Sequence, residues 1–197
     1  HLGEGHPAIT CELTREEAEL AKHLFLLSGK PTLFAANLKD SELAEADINP
    51  FFKEVCEYAA KHHGCETVVI SAQIESELID LSEQESREFL SEMGVNESGA
   101  GQLIQKSYSL LGLQTYFTTG EKETRAWTIR KGDTAPKAAG VIHGDFERGF
   151  IKAETVAYDD LIECGSIATA RDRGLYRMEG KEYVVQEGDV MLFKFNV

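Results

Sequence analysis

With 197 residues, 42% hydrophobic and 9% aromatic, the chain has enough apolar side chain to bury a core, as one large domain or two small ones, and disorder is not expected. The formal net charge of −14 argues against a protein held on nucleic acid by charge alone, because phosphates would be repelled at long range. That acidity is uneven: residues 1–113 carry 20 acidic and 8 basic side chains, a net of −12, whereas residues 114–197 carry 14 and 12, a net of −2.

The opening stretch to Thr10 has turn character and no core of its own, and reads as the continuation of something longer. Thr14 and Glu17 have capping-box spacing, so a helix is expected from Thr14, with Leu20, Leu24 and Leu27 on one face and Gly29 ending it. Pro31 to Ala36 reads as a buried strand. A second helix is expected from Pro50 to His62, capped by Asn49, with Phe51, Phe52, Val55, Tyr58 and Ala59 inside. Glu66 to Ile70 reads as the next strand. Strand, helix and strand at this spacing form a βαβ unit, so the two strands are expected to be parallel. Two more helices follow, one from Ser82 with Glu85 at capping-box spacing and one from Gly101 to Leu111.

After Gly112 the hydrophobic period changes from helical to strand-like. Short β-runs are expected at Gln114–Thr118, Arg125–Ile129, Gly149–Tyr158, Tyr183–Val185 and Val190–Phe195, with helical pieces at Thr134–Ala139 and Ile167–Arg173. This is an α+β pattern, a small mixed sheet with helices on one face, and the boundary lies near residue 113. Within it, Thr115 to Glu154 sets Trp127 between charged residues and places His143, Asp145, Glu147 and Arg148 within six positions, a pattern of an interaction surface rather than an active site. His143 near Asp145 suggests an acid/base pair, but no nucleophile accompanies it. The glycines at 120, 132, 140, 144 and 149 mark turns.

Cys11, Cys56, Cys65 and Cys164 show neither C-x-x-C nor zinc-ribbon spacing, and no signal peptide or long apolar run is present, which points to a reducing cytoplasm without a membrane partner. His62, His63 and Cys65 have two readings: a metal half-site with no second cluster, or a plain helix C-terminus in which Gly64 is the left-handed cap.

Ligands of open α/β sheets bind beyond the carboxyl ends of the strands, and two such segments stand out. Asn37-Leu38-Lys39-Asp40 follows the first strand and Ser71-Ala72-Gln73 the second. In a purine-base site Asn pins the loop and contacts the ring, a carboxylate meets base-edge donors, and backbone N–H groups of the Ser-Ala turn meet an exocyclic oxygen. The alternative is an ordinary Asx-turn.

Three segments between Lys30 and Val197 stand out: KPTLFAAN, LLGLQTYFTTGEKETRAWTIRKGDTAPKAAGVIHGDFERGFIKAE and VVQEGDVMLFKFNV. Through them nearly the whole chain resembles the C-terminal half of the YchF/Obg-like ATPase subfamily of P-loop NTPases. The resemblance implies an α/β fragment of a P-loop NTPase domain followed by an α+β β-grasp (TGS) domain: residues 1–12 the tail of a helical insertion, 13–113 the C-terminal part of the nucleotide domain, 114–197 the TGS domain. It implies ATP or GTP with Mg²⁺ in the intact protein, read by Asn37, Leu38, Asp40, Ser71 and Ala72, with no tight binding expected of this fragment alone. It also implies a ribosome or ribosomal RNA partner, with no DNA. Arg125, Arg130, Lys131, Lys137, Arg148 and Lys152 would contact phosphates, and Trp127 or Phe146 would offer stacking surfaces, although an alternating strand makes Trp127 a core candidate as well.

Two departures from the family pattern matter. Leu38 stands where a GTPase N-K-x-D motif has Lys, which favours ATP. Asp40 replaces the family's usual Glu and can accept from guanine N1–H and N2–H₂, which favours GTP; a hydrogen bond to a charged group is worth about 1.5–3 kcal/mol. ATP remains the favoured ligand. The rival reading is a free-standing β-grasp module that binds a protein and no nucleotide, in which Asn37–Asp40 and Ser71–Ala72 are unrelated turns. A βαβ unit cut from a larger sheet exposes an edge, so dimerisation or partial disorder of residues 1–113 is also expected; a monomer fully protected from hydrogen exchange there would count against it. No G-x-x-x-x-G-K-[ST] occurs in the chain, so it is expected not to hydrolyse ATP or GTP. A phosphate-release assay giving turnover above buffer would overturn this.

Overall fold

The computed structural model describes residues 1–63, 65–120 and 123–196; Gly64, read above as a helix cap, lies outside the described residues. The chain divides into two compact units, His1–Leu111 and Gly112–Val197.

In the first unit, α1 (Arg15–Lys22) begins as its sequence requires. Glu17 N–H donates to the Thr14 hydroxyl at 3.3 Å, and the Glu17 carboxylate accepts from Thr14 N–H at 2.9 Å. The helix stops at Lys22 rather than Gly29, because Phe25 turns to a left-handed φ of 49° and Leu27–Gly29 forms a separate 3₁₀ turn. The physical reason is the expected apolar face. Leu20, Leu24 and Leu27 are 70%, 66% and 82% exposed, and a short helix without tertiary packing has little to extend it.

β1 (Phe34–Asn37) and β2 (Thr67–Ile70) pair in parallel and in level register, from Phe34↔Thr67 to Asn37↔Ile70, joined through α2 (Pro50–His63). Asn49 Oδ1 caps α2 by accepting from Phe51 N–H (2.9 Å) and Phe52 N–H (3.1 Å). Ala59 is buried and Phe52, Val55 and Cys56 half-buried, but Phe51 and Tyr58, expected inside, are exposed. A helix that the sequence reading lacked, α3 (Ala72–Leu78), starts directly after β2. α4 (Glu83–Glu92) carries the expected Ser82–Glu85 capping box, and α5 (Gly99–Leu110) starts two residues earlier than expected. Gly99 is tight against β2: a Cβ there would lie 2.8 Å from Ile70 Cα.

The second unit is a five-stranded sheet of β3 (Leu113–Thr119), β4 (Thr124–Arg130), β5 (Phe150–Ala157), β6 (Arg177–Glu179) and β7 (Asp189–Phe195) in the order β4-β3-β7-β5-β6. Only β3 and β7 run parallel among these pairs. On one face, α6 (Ala135–Ile142) and α7 (Gly144–Arg148) cover Tyr116, Ile129, Phe150, Met191 and Phe193. Burying each such side chain stabilises the unit by about 1.5–3 kcal/mol, and the Tyr116 hydroxyl donates to Ala138 C=O at 2.9 Å. Helices also cover part of the other face, contrary to the one-sided arrangement expected: α8 (Tyr158–Cys164) and α9 (Ile167–Asp172) pack over Val156 and Val190.

Tyr183–Val185 is not a strand; Thr134 and Val184 form a single bridge. Asp189 shapes this loop instead. Its buried carboxylate accepts from the Tyr183 hydroxyl (2.7 Å) and Gln186 N–H (2.9 Å). Gly132 has a φ of 93°, the turn its composition implied. Gly149 has a different role: a Cβ would overlap the carbonyl of Asn196, whose N–H donates to Gly149 C=O at 2.9 Å. Gly149→Ala is therefore expected to destabilise the second unit by about 1–3 kcal/mol. Urea unfolding followed by the fluorescence of Trp127, the sole tryptophan, reads this unit directly.

Candidate functional site

The level register of β1 and β2 brings their carboxyl ends side by side, and two hydrogen bonds tie the segments beyond them. Leu38 N–H donates to Ile70 C=O at 2.8 Å, and Ala72 N–H donates to Asn37 Oδ1 at 3.0 Å. Asn37 thus pins the facing loop, one of the two roles its position suggested. Ser71 is buried as the N-cap of α3, its carbonyl accepting from Glu75 N–H at 2.9 Å. Ser71-Ala72-Gln73 is accordingly the start of a helix rather than a turn. Leu38 is half-buried, and Asp40, exposed, opens a 3₁₀ turn over Asp40–Glu42. Asn37, Leu38, Ser71 and Ala72 are therefore brought together at one end of the sheet, with Asp40 on the loop that leaves it.

The chemistry available there is polar recognition. The Ala72 N–H is already taken by Asn37, so it is not a ready donor to an exocyclic oxygen as the sequence suggested. Among the described residues the Asn37 amide nitrogen has no partner, and it carries two donors. A purine ring presents acceptors to such a group, while the Asp40 carboxylate only accepts.

In the second unit the six basic residues singled out from sequence do not form one patch. Arg125 shares a face with Trp127 and Ile129, its guanidinium 4.2 Å above the indole. Lys137 and Arg148 lie on α6 and α7 over that same face, paired with Glu147 (3.2 Å) and Asp145. Arg130 alternates onto the opposite face, Lys131 begins the turn after β4, and Lys152 shares the opposite face with Val156. Both aromatic candidates are engaged within the unit. Trp127 packs on the core with its indole N–H donating to Thr118 Oγ1 at 2.9 Å, and Phe146 stacks on Phe195 at 3.8 Å between centroids. His143 is a helix cap: its Nδ1 accepts from Asp145 N–H at 3.2 Å and also lies 3.4 Å from the Asp145 carboxylate.

A cluster outside the sequence-derived set surrounds Glu154. Its carboxylate accepts from the Tyr176 hydroxyl (2.8 Å) and meets Arg171 (3.3 Å) and Lys194 (3.8 Å). The hydrogen bond from Tyr176, aided by Lys194, Arg171 and Lys152, outweighs burial and holds the Glu154 carboxyl below the usual range. Strand alternation was the available signal, since it sets Glu154 and Lys194 on one face with Lys152.

Two outcomes follow. Asn37→Ala leaves the Ala72 N–H without its partner and is expected to weaken the loop by about 0.5–1.5 kcal/mol, visible as faster hydrogen exchange at Ala72; unchanged exchange would refute the pinning role. Glu154 titrates lower when folded than when unfolded, so its contribution is present above the ordinary carboxylate range and is lost as pH falls through the folded value. Asp145, held down by Arg148, acts in the same sense. Stability of the second unit is therefore expected to fall below about pH 4, and Glu154→Gln is expected to flatten but not abolish that dependence in Trp127-monitored unfolding.

Known proteins share this architecture. The family YchF-GTPase_C, described as "Protein of unknown function (DUF933)", matches residues 113–196. A protein of Bacillus subtilis (strain 168) named "Ribosome-binding ATPase YchF" is 53% identical over 191 residues, covering 97% of this chain and 52% of its own length. "Obg-like ATPase 1" of Gallus gallus is 41% identical over 178 residues, covering 90% and 44%. The solved "Structure of the Schizosaccharomyces pombe YchF GTPase" superposes with a TM-score of 0.81 at 32% identity, over 98% of this chain and 50% of that one. A GTP-binding protein from Pyrococcus horikoshii OT3, at a TM-score of 0.59 and 18% identity, shares the fold. The chain spans about half the length of the curated relatives it matches. It belongs to the YchF/Obg-like ATPase family and corresponds to the C-terminal region of its members.

Proposed function

We propose that this chain is the C-terminal portion of a ribosome-associated, Obg-like ATP- or GTP-binding protein. Residues 13–113 supply the base-recognising end of the nucleotide domain, and residues 114–197 are a TGS domain of β-grasp fold that engages the ribosome or its RNA. The observation that carries the nucleotide half is the Asn37 Oδ1 to Ala72 N–H bond between level strand ends. It favours this reading over a free-standing interaction module, in which the two segments would be unrelated turns. The ribosomal half is supported by the names of the relatives, several of which are "Ribosome-binding ATPase YchF". The same reading places the protein in the cytoplasm.

The residues present fit one part of a purine nucleotide. Asn37 offers donors and Asp40 an acceptor to a base, and Leu38 gives apolar ground beneath it. Nothing in the sequence matches the phosphate-cradling loop, so neither the phosphates nor Mg²⁺ is assigned a partner here, and no hydrolytic step is assigned to this chain. ATP is the favoured ligand because Leu38 removes the stacking Lys, while Asp40 acts in favour of GTP. Titrating both nucleotides against the longer protein decides between them, and a lower Kd for GTP would reverse the assignment.

The two-stranded sheet and exposed Leu20, Leu24, Phe25, Leu27 and Phe51 support the expectation that the first unit pairs with another surface, which in the isolated chain means a second copy. A single-chain mass by light scattering at micromolar concentration would contradict this. For the ribosomal assignment, the 197-residue chain is expected to pellet with ribosomes in low salt and to be released as salt rises. Its remaining in the supernatant at every salt concentration would overturn that assignment.

A further inference from the structure

Lys152 on β5 and Lys194 on β7 are direct cross-strand partners, on the face of the sheet that carries Val156 and Val190. Like charges directly opposite one another destabilise a strand pair. Glu154, two residues along β5 on the same face, offsets part of the repulsion. Its carboxylate lies 3.8 Å from Lys194 Nζ and 3.3 Å from Arg171 Nη2, and accepts from the Tyr176 hydroxyl. The Arg171 guanidinium is further held 4.4 Å over the Tyr176 ring. One nearly buried carboxylate therefore gathers three cations and neutralises one of them. The Lys194 and Arg171 side chains remain 44% and 55% exposed.

The ground around these cations is apolar. Leu192 on β7 and Met178 on β6 both stand directly opposite Glu154, so they share its face, and they are 42% and 58% exposed. α8 and α9 cover Val156 and Val190 but leave this part of the sheet open. In a chain of net charge −14, this is a fixed positive group set among apolar side chains on rigid strands.

We propose that the uncovered part of this face, with Lys152, Lys194 and Arg171 around Glu154 and with Leu192 and Met178 between them, is a platform for single-stranded RNA. Phosphates meet the three cations, and unstacked bases or riboses lie over the two apolar side chains. Charge complementarity selects the ligand: a phosphodiester strand carries one negative charge per nucleotide to meet the cations gathered here. This rests on the reading of residues 114–197 as the ribosome-facing part of the chain, and it moves the contact to the face opposite Arg125, Lys137 and Arg148.

The test uses the 197-residue chain and a fluorescein-labelled 12-nucleotide oligouridine, read by anisotropy between about 50 and 200 mM KCl. Lys152→Met and Lys194→Met keep the aliphatic stems; each is expected to weaken binding several-fold and to lower the slope of log affinity against log salt by about 0.7, the contribution of one phosphate contact to a single strand. Arg125→Ala and Lys137→Ala are expected to bind as the parent does, and Trp127-monitored melting confirms that each variant is folded. An unchanged slope in both methionine variants, or a loss confined to Arg125→Ala and Lys137→Ala, overturns the platform. If the oligomer does not bind but the chain still pellets with ribosomes, the platform falls and the ribosomal reading stands. If neither binds, both fall.

Discussion

β7 is the constraint on which the second unit depends, because the last strand in sequence is the middle strand in space. It pairs in parallel with β3 and antiparallel with β5, so neither half of the sheet joins the other until β7 is in place. Its alternation does two jobs at once. Met191 and Phe193 enter the core beneath α6 and α7, while Val190, Leu192 and Lys194 face the other way. A one-residue slip would exchange the two sets, so the register that builds the core also places Lys194 opposite Lys152. The two ends of the strand are fixed separately, by the Asp189 carboxylate on the loop before it and by the close approach of Asn196 to Gly149.

The first unit has no strand of this kind. Its two strands are in register and α1, α2, α4 and α5 carry side-chain N-caps, yet several large apolar side chains are open. Leaving Leu24, Phe25 and Leu27 in water forgoes about 1.5–3 kcal/mol for each. The best-defined feature of the unit is local: Asn37 reaching Ala72 across the level ends of two parallel strands. A site of this type can be shaped by two strands and their loops alone.

Much of this was legible in the sequence. Capping boxes at Thr14–Glu17 and Ser82–Glu85, the Asn49-Pro50 helix start and the apolar runs of β1, β2, β3, β5 and β7 are local signals, and local hydrogen bonding decides them. What failed was decided elsewhere. The helix from Thr14 was cut short because its leucine face has no packing partner. β6 is three residues long with no hydrophobic alternation, and it exists only because β5 offers an edge. α3 hides behind a Ser-Ala pair that reads equally as a turn. For the site, Asn37 and Ala72 were visible as strand-end residues, and pairing supplied the bond between them. The basic residues were misgrouped because sequence proximity does not record sheet face: Arg125 and Arg130 are five apart and point to opposite sides, whereas Lys152 and Lys194 are 42 apart and adjacent.

The proposed ribosomal contact lies on the open face of the second sheet. Amine-acylation footprinting on the chain bound to ribosomes tests this directly, because Lys152, Lys194 and Lys137 report on the two faces in one experiment. Lys152 and Lys194 are expected to lose reactivity on binding while Lys137, over α6, keeps it. Protection of Lys137 with Lys152 and Lys194 unchanged would contradict that placement.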